Sequence, residues 1–553
     1  MLGQGAAPAY NGAVSIQRAP MHTLLVFDFE TTGTDPVRDR PVQFACVRTD
    51  LDLEIVGNPT TLHCQPTPDH LPDPAACLVH GITPRFCQEV GLPELRFVDA
   101  VHRELATPGT ISFGYNSIAF DDEITRFMLW RNLIDPYARE WKDGCGRWDL
   151  LTLVRATYAL RPDALEWPRD EGGAVSFKLA RMSAANGLLH ESAHDALSDV
   201  YATLSLARRI RERQPRLYAH CFSMLDKNLA LREMDVVLHK PFIHVGRNTA
   251  QSAGVRIMLP IAQHPVNRNE VIAWDLSKDP RQLLDIDAET LRRRLWPALD
   301  GLADDFAPMP LASIAANQSP AVFQNLKVLS RERAAELDVD VEAALANVPV
   351  TLGVLATVDL ARLLQAAFER AGPECDPEQA LYAGFVGNAD RRALDTLRSM
   401  DPANLAAVEP EFGDPRLAAL FLRYKARHYP QALSRREQDK WEEYRFRKLI
   451  TGDCGSRTVA AVRASVADCR RRLATAGEPG DPVANEILDE VLVFTDGLAA
   501  VIDPFDTGSP AQASEEAPVP PPAAAPAPAP VQPDFFGGAD TAPTRRRATA
   551  RRR

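Results

Sequence analysis

The stretch LLVFDFETTGTDP, residues 24 to 36, constrains the fold more than any other part of the chain, because it seats two acids, Asp28 and Glu30, in an apolar run. Val26, Phe27 and Phe29 read as a strand, and TTGTDP as the turn that ends it. Side chains alternate along a strand, so Asp28 and Glu30 share one face while Phe27 and Phe29 pack on the other. Adjacent carboxylates on one face repel each other, and a divalent cation between them removes that penalty. A D-x-E tripeptide alone fits two solvated acids at a strand edge equally well, so the rest of the chain must decide.

A chain of 553 residues is too long for one core; at ~150 residues per domain it divides into about three or four units. From 22 to 214 the pattern is mixed. Strands are expected at 23–29, 42–48, 60–65 and 110–115, and helical periodicity follows at 120–133, 148–159, 177–186 and 195–212. Strands followed by helices over a mixed sheet indicate an α/β or α+β domain. The segment RERQPRLYAH, 211 to 220, reads as a hinge. From 215 to 367, short apolar runs broken by Pro and Asn suggest a small barrel with inserted helices, and from 370 to 502 helical patterns dominate. Beyond 505 the Pro/Ala-rich run EEAPVPPPAAAPAPAPVQP reads as a disordered tail with an Arg-rich end, and residues 1 to 21 as a disordered leader in which Met21 is an alternative start.

The net charge of -12 excludes a protein that coats nucleic acid through bulk positive charge, so any such contact must be local or carried by metal ions. Nine cysteines show no C-x-x-C pair, and Cys64, Cys77 and Cys87 lack a zinc-ligand rhythm, which suits reduced thiols in the cytoplasm. No apolar run approaches the ~20 residues of a membrane span, and the first 20 residues do not form a signal peptide.

Two further acids and a histidine answer the opening question. Asp121 stands where GYNSIAFDDEITRF opens a helix. Asp199 lies in the first turns of AHDALSDVYATLSLARRI, an amphipathic helix with Ala196, Val200, Leu204, Ala207 and Ile210 facing a core and Asp195 as its N-cap. His194 precedes Asp199 by five residues, in the loop that enters this helix. Asp28, Glu30, Asp121 and Asp199 make a set of hard oxygen donors suited to magnesium or manganese. Paired ions of this kind serve phosphoryl displacement, and His194 has the right unperturbed pKa, ~6.5, to act as base for the attacking water. The chemistry expected is phosphodiester hydrolysis. Asp122 reads as a solvated acid at a helix start and Asp149 as the cap of its own helix.

The motifs DFETTG, HGITP (80 to 84), NSIAFDDEITR and HDALSDVYAT resemble the DEDD superfamily of 3′ to 5′ exonucleases, in the subgroup with histidine five residues before the last aspartate. RPVQFACVRTD, RWDLLTLVRATYALRP, HPVNRN and LYAGFVGNADRR narrow the resemblance, over about residues 22 to 500, to the exodeoxyribonuclease I family of bacterial single-strand DNA exonucleases. It implies an RNase H-like (DnaQ-like) α/β nuclease domain, then an SH3-like barrel, then an all-helical domain, together enclosing one strand for processive digestion. It implies two Mg2+ ions, or Mn2+, on Asp28, Glu30 and Asp199, with Asp121 completing the acidic set and His194 as general base. Strand contacts fall on Glu30, Arg126, Tyr137, Trp141, Arg155 and Lys178; the lysine stands where the family often has arginine and forfeits bidentate geometry. Arginines answer phosphates, and Tyr137 and Trp141 offer faces for unpaired bases or else a packed helix face. Gln263 replaces a family aromatic, which puts stacking there in doubt, and His264, Asn267, Arg268 and Asn269 either bind the strand or shape a turn.

The resemblance further implies a monomer, single-stranded DNA as substrate, a role in DNA repair, and a single-strand DNA-binding protein as partner. QPDFF, Gln532 to Phe536, is similar to short motifs that dock on the sliding clamp. Two rival readings are a relative acting on RNA or as a proofreading subunit, and a binding protein that has lost catalysis.

Overall fold

The computed structural model describes residues 22–188, 195–246, 252–296, 308–369, 375–475 and 481–502. His194, the leader and the tail with Gln532 to Phe536 lie outside these residues.

The first sheet holds β1 (Thr23–Thr31), β2 (Pro41–Thr49), β3 (Thr60–His63), β4 (Thr110–Gly114) and β5 (Gly146–Asp149) in the order β3-β2-β1-β4-β5. The β3-β2-β1 pairings are antiparallel and the β1-β4-β5 pairings parallel, which makes the mixed sheet that the strand-then-helix pattern calls for. Its helices are α1 (Pro74–His80), α2 (Pro84–Val90), α3 (Glu94–Leu105), α4 (Asp121–Arg131), α5 (Leu150–Leu160), α6 (Leu179–Ala185), α7 (Ala196–Arg213) and α8 (Pro215–Ser223). β1 divides its side chains as alternation requires. Leu25, Phe27 and Phe29 pack on α3 and α4, while Leu24 and Val26 pack with Ala196, Val200, Leu204 and Ala207 of α7. Asp28 and Glu30 continue the second face beyond the apolar rows.

Helices α1 to α3 and strand β5 are not anticipated by periodicity. α1 and α2 have only seven residues each, too few to show a repeat, and are set by Asp73 and Thr83 caps followed by Pro at the first turn. The expected hinge is also corrected. α7 breaks at Gln214, but α8 starts at once, and its Leu217, Tyr218 and Cys221 are built into the nuclease core.

β6 (Phe242–Val245), β7 (Val255–Gln263), β8 (Glu270–Asp275), β9 (Leu311–Ala315) and β10 (Val322–Phe323) form an antiparallel sheet in the order β10-β6-β7-β8-β9. The chain leaves one sheet edge at β9 and returns to the other at β10, so the sheet curls toward a barrel. Around it lie α9 (Lys227–Glu233), α10 (Ala288–Leu295), α11 (Arg331–Glu336), α12 (Val341–Leu355) and α13 (Leu360–Phe368). This unit is continuous with the nuclease: Ile243, Val245, Val255 and Phe323 belong to the same apolar cluster as Leu24, Val26 and Trp148.

The C-terminal part is helical: α14 (Asn388–Ser399), α15 (Arg416–His428), α16 (Arg435–Phe446), α17 (Val459–Thr475) and α18 (Pro482–Ile502). Leu394, Leu417, Leu420, Phe421 and Tyr424 close over Phe127 and Trp130 of α4. A buried ionic network reinforces this contact. Asp69, from the nuclease domain, meets Arg40 at 2.8 Å, Arg427 of α15 at 2.7 Å and Lys448 at 3.1 Å, and Glu378 pairs with the same Arg427. Among the described residues no single helix is long and apolar enough to cross a membrane, and eight cysteines are free thiols.

Candidate active site

Asp28 and Glu30 sit on β1 and Asp199 in the first turn of α7, the helix that packs against that strand. One carboxylate oxygen from each of the three lies within 4.8 Å of the others, so residues separated by 169 positions converge on one point. The α7 entrance is fixed by its cap, where Asp195 accepts a hydrogen bond from the Ser198 amide at 3.3 Å. Burial, followed by repulsion from Asp121, Asp199 and Glu30, pushes Asp28 well above the usual carboxylate range. Burial, then Asp199, Asp121 and Asp195, pushes Glu30 up to about 8. The leading neighbours of both groups are acids. The cluster is an electrostatic deficit, and a hard divalent cation is the group its oxygen-only donor set fits.

Asp121 stands beside this triad without sharing its oxygen contacts. It is 3% exposed at the start of α4 and accepts the Phe29 amide of β1 at 3.1 Å. The reason is topological. β4 pairs with β1 only as far as Val26, so the Phe29 amide beyond it is left for the α4 terminus to satisfy. Burial, then Asp122, raises the Asp121 carboxyl well above its ordinary value.

The expectation for Asp122 is overturned. Rather than a solvated acid at a helix start, it is a buried ion-pair partner of Arg139, with Arg147 at 3.6 Å. Its helix-terminal position is real, but arginines brought in from the β5 side enclose it. Asp149 caps α5 as expected, accepting from the Leu151 amide at 2.9 Å.

The residues expected at the strand are placed unevenly. Trp141 is 67% exposed and Lys178 exposed, both open to a ligand. Arg126 is buried and already held by Glu140 at 2.7 and 2.9 Å, by Glu123 at 2.6 Å and by the Tyr382 hydroxyl at 2.9 Å. Its guanidinium lies 5.4 Å from the centre of the Tyr137 ring, which also touches Phe385. Arg126 thus braces an aromatic group; it does not project as a free cation. Tyr137 precedes a 3-10 turn, Ala138–Glu140, so it shares no continuous helix face with Trp141. Arg155 is half-buried on α5.

At the β7–β8 turn the structure favours shaping over binding. Gln263 donates to the Arg268 carbonyl at 2.9 Å, and His264 accepts the Val266 and Asn267 amides at 3.1 and 2.9 Å.

Sequence reasoning passed over three contributors. Tyr382 and Phe385 join the aromatic group from more than 240 residues away, within the quoted LYAGFVGNADRR but unsignalled by any local pattern. Gln43 in RPVQFACV is the third: it stands opposite Glu30 on β2 and accepts the Ala196 amide of α7 at 3.2 Å, and a glutamine in an otherwise apolar stretch is the available signal.

Family models match almost the whole described chain: Exonuclease over residues 25–207, Exonuclease I SH3-like domain over 226–370 and Exonuclease I C-terminal domain over 375–496. Exodeoxyribonuclease I of Escherichia coli strain K12 is 38% identical over 430 residues, 78% of this chain and 90% of the relative. Exonuclease I from Methylocaldum szegediense superposes with a TM-score of 0.79 at 38% identity, covering 86% of this chain and 99% of the other. E. coli exonuclease I in complex with a dA16 oligonucleotide gives 0.78 at 35% identity, covering 86% and 100%. The same E. coli protein has a zinc-bound form of its complex with single-stranded DNA, at a TM-score of 0.77 and 35% identity, with 87% and 100% covered. A structure of SSB/exonuclease I with the inhibitor CFAM matches at 0.77 and 34% identity, with 87% and 100% covered.

Proposed function

The chain belongs to the exodeoxyribonuclease I family, and from that premise we propose that it hydrolyses single-stranded DNA from the 3′ end, releasing 5′-mononucleotides with the help of two divalent cations. The observation that carries this reading is the convergence of Asp28, Glu30 and Asp199 within 4.8 Å, with burial and mutual repulsion raising Asp28 and Glu30. These residues would hold the ions, magnesium by preference and manganese as a substitute, because every donor is a hard oxygen. When bound, the ions supply charge neutralisation at the scissile phosphate and favour attack by water.

The protein groups divide the remaining work. Asp121, anchored on the Phe29 amide, adds negative charge beside the ligands and completes the acidic set. His194, five residues before Asp199 in the sequence, takes the proton of the attacking water. Glu30 also contacts the terminal nucleotide. Trp141 and Tyr137 present faces to unpaired bases without reading their identity, and Lys178 and Arg155 answer phosphates. Processive action is supported by the way the barrel and the helical part pack on the nuclease domain through shared apolar clusters.

We place the enzyme in the cytoplasm, as a monomer in DNA repair. Its acidic-tailed partner is the single-strand DNA-binding protein, and a second contact, with the sliding clamp, runs through Gln532 to Phe536.

The test is digestion of a 5′-labelled single strand by the parent protein and by His194→Ala, each with magnesium, with manganese and with chelator. A ladder that shortens from the 3′ end, yields mononucleotides, needs the metal and collapses in His194→Ala is expected. Digestion that persists in chelator, or equal cleavage of a matched RNA strand, would overturn the reading.

A further inference from the structure

Gln43 stands at the junction of the two elements that carry the carboxylate triad. On the sheet it pairs across from Glu30 of β1 on one side and from His63 of β3 on the other. Directly opposed residues in antiparallel strands project from the same face, so Glu30, Gln43 and His63 form a row beneath α7. Gln43 is 5% exposed, which obliges its amide to find partners. It finds three. Its Oε1 accepts the Ala196 amide at 3.2 Å, and its Nε2 lies 3.3 Å from Asp195 Oδ1 and 3.2 Å from His63 Nε2.

These contacts fix one arrangement. An amide nitrogen can only donate, so Ala196 must face the oxygen, and the two N–H groups must point to the Asp195 carboxylate and to a ring nitrogen of His63 that carries no proton. Burial holds the His63 imidazole below its ordinary range, in keeping with a neutral ring that accepts. The first amide of α7 and the cap residue that starts it are therefore tied to one side chain of β2. That side chain neighbours Glu30, and Asp199 follows one helical turn after Asp195.

We propose that Gln43 is a positioning residue for the metal site: it clamps the N-terminus of α7 to the sheet and so sets the separation between Asp199 and the carboxylates of β1. The inference rests on the reading of the triad as a cation site. Without the clamp the α7 entrance keeps its own cap but loses its anchor on the strand, and three mutually repelling carboxylates then move apart. Cations must pull them together again, and affinity falls by the amount lost in doing so.

The test measures Mn2+ binding to the full chain by the loss of the free-ion electron paramagnetic signal, next to thermal melts and steady-state digestion of a single strand. Binding by the parent that disappears in Asp199→Asn is the control; its failure would sink the cation reading itself. Gln43→Met keeps the side-chain length and removes all three hydrogen bonds. The expected result is a Mn2+ Kd raised by about 10- to 100-fold, the range typical of lost support around metal ligands, with KM for DNA unchanged and kcat restored by excess metal. A Kd within about twofold of the parent overturns the proposal. Should Gln43→Met melt early, Gln43→Leu removes the same three hydrogen bonds with a different shape, and its Kd, read at a temperature where the variant stays folded, must rise by the same order.

Discussion

Two nests of acids, one half-buried within the nuclease domain and one buried where that domain meets the helical part, are electrostatic opposites. Around Asp28 and Glu30, burial and neighbouring carboxylates drive protonation upward. Around Asp69 and Glu378, burial pushes the same way, but Arg40, Arg427 and Lys448 at Asp69, and Arg427, Lys448 and Arg423 at Glu378, prevail and hold both carboxyls well below their usual range. The residue types are alike; what differs is who supplies the counter-charge. At Asp69 it comes from the protein itself, partly from α15, so the acids hold domains together. At Asp28 the folded chain withholds it, and a diffusible ion must bring it. Clustered acids therefore mark function where the charge balance is left open and architecture where it is closed.

The sharpest way to break this contrast is to neutralise one acid in each nest. Asp199→Asn should cut single-turnover digestion by about 10³-fold or more, the order lost when charge stabilisation at a reacting centre is removed, while the melting temperature holds or rises because one repelling charge is gone. Asp69→Ala should do the reverse. It leaves Arg40, Arg427 and Lys448 to share Glu378 in the interior, an excess of buried positive charge, and a loss of about 3–5 kcal/mol in denaturant unfolding is expected, with catalysis per folded molecule retained. If Asp199→Asn also melted early, the open nest would prove to be architectural after all.

A smaller effect comes from the ion. Saturating Mn2+ at about 100 times its Kd should stabilise the parent by about 2.7 kcal/mol and leave Asp199→Asn unmoved, with chelator reversing the gain; calorimetry with and without metal checks this. The smallest effect is in pH. Glu30 is raised from about 4.3 in an unfolded chain to about 8, so its protonated form is the one that suits the metal-free fold. That contribution is complete below about pH 4 and fades as pH climbs through 8, whereas the Asp69 network, whose acids are depressed, loses its contribution as pH falls below about 4. Metal-free melts should therefore soften between about pH 7 and 8, above the range in which the buried neutral His70 and His428 add stability with rising pH, and bound metal should abolish the slope. A metal-free protein that gained stability over that interval would contradict the assignment of Glu30.

What could be read in advance followed from range. β1 and α7 show their periods within a dozen residues, so Asp28, Glu30 and Asp199 were legible, as were the caps Asp149 and Asp195. Asp122 was misread because its neighbours in sequence say helix terminus, while the arginines that enclose it arrive from 17 and 25 positions away. The Asp69 network lay further out of reach, since its partner Arg427 is 358 residues distant. α1 and α2 carried readable starts in Asp73-Pro74 and Thr83-Pro84, but seven-residue helices show no period against which to test them.

Trp148 closes the nuclease core from below with rings of Tyr218 and Phe222, each 5.3 Å from its own, and Val245 and Phe323 of the barrel complete the same cluster. A gene cut after codon 214 would discard that floor and leave an indole bare to water. Such a fragment should precipitate, not digest DNA, so anyone wishing to shorten this protein must carry the barrel along.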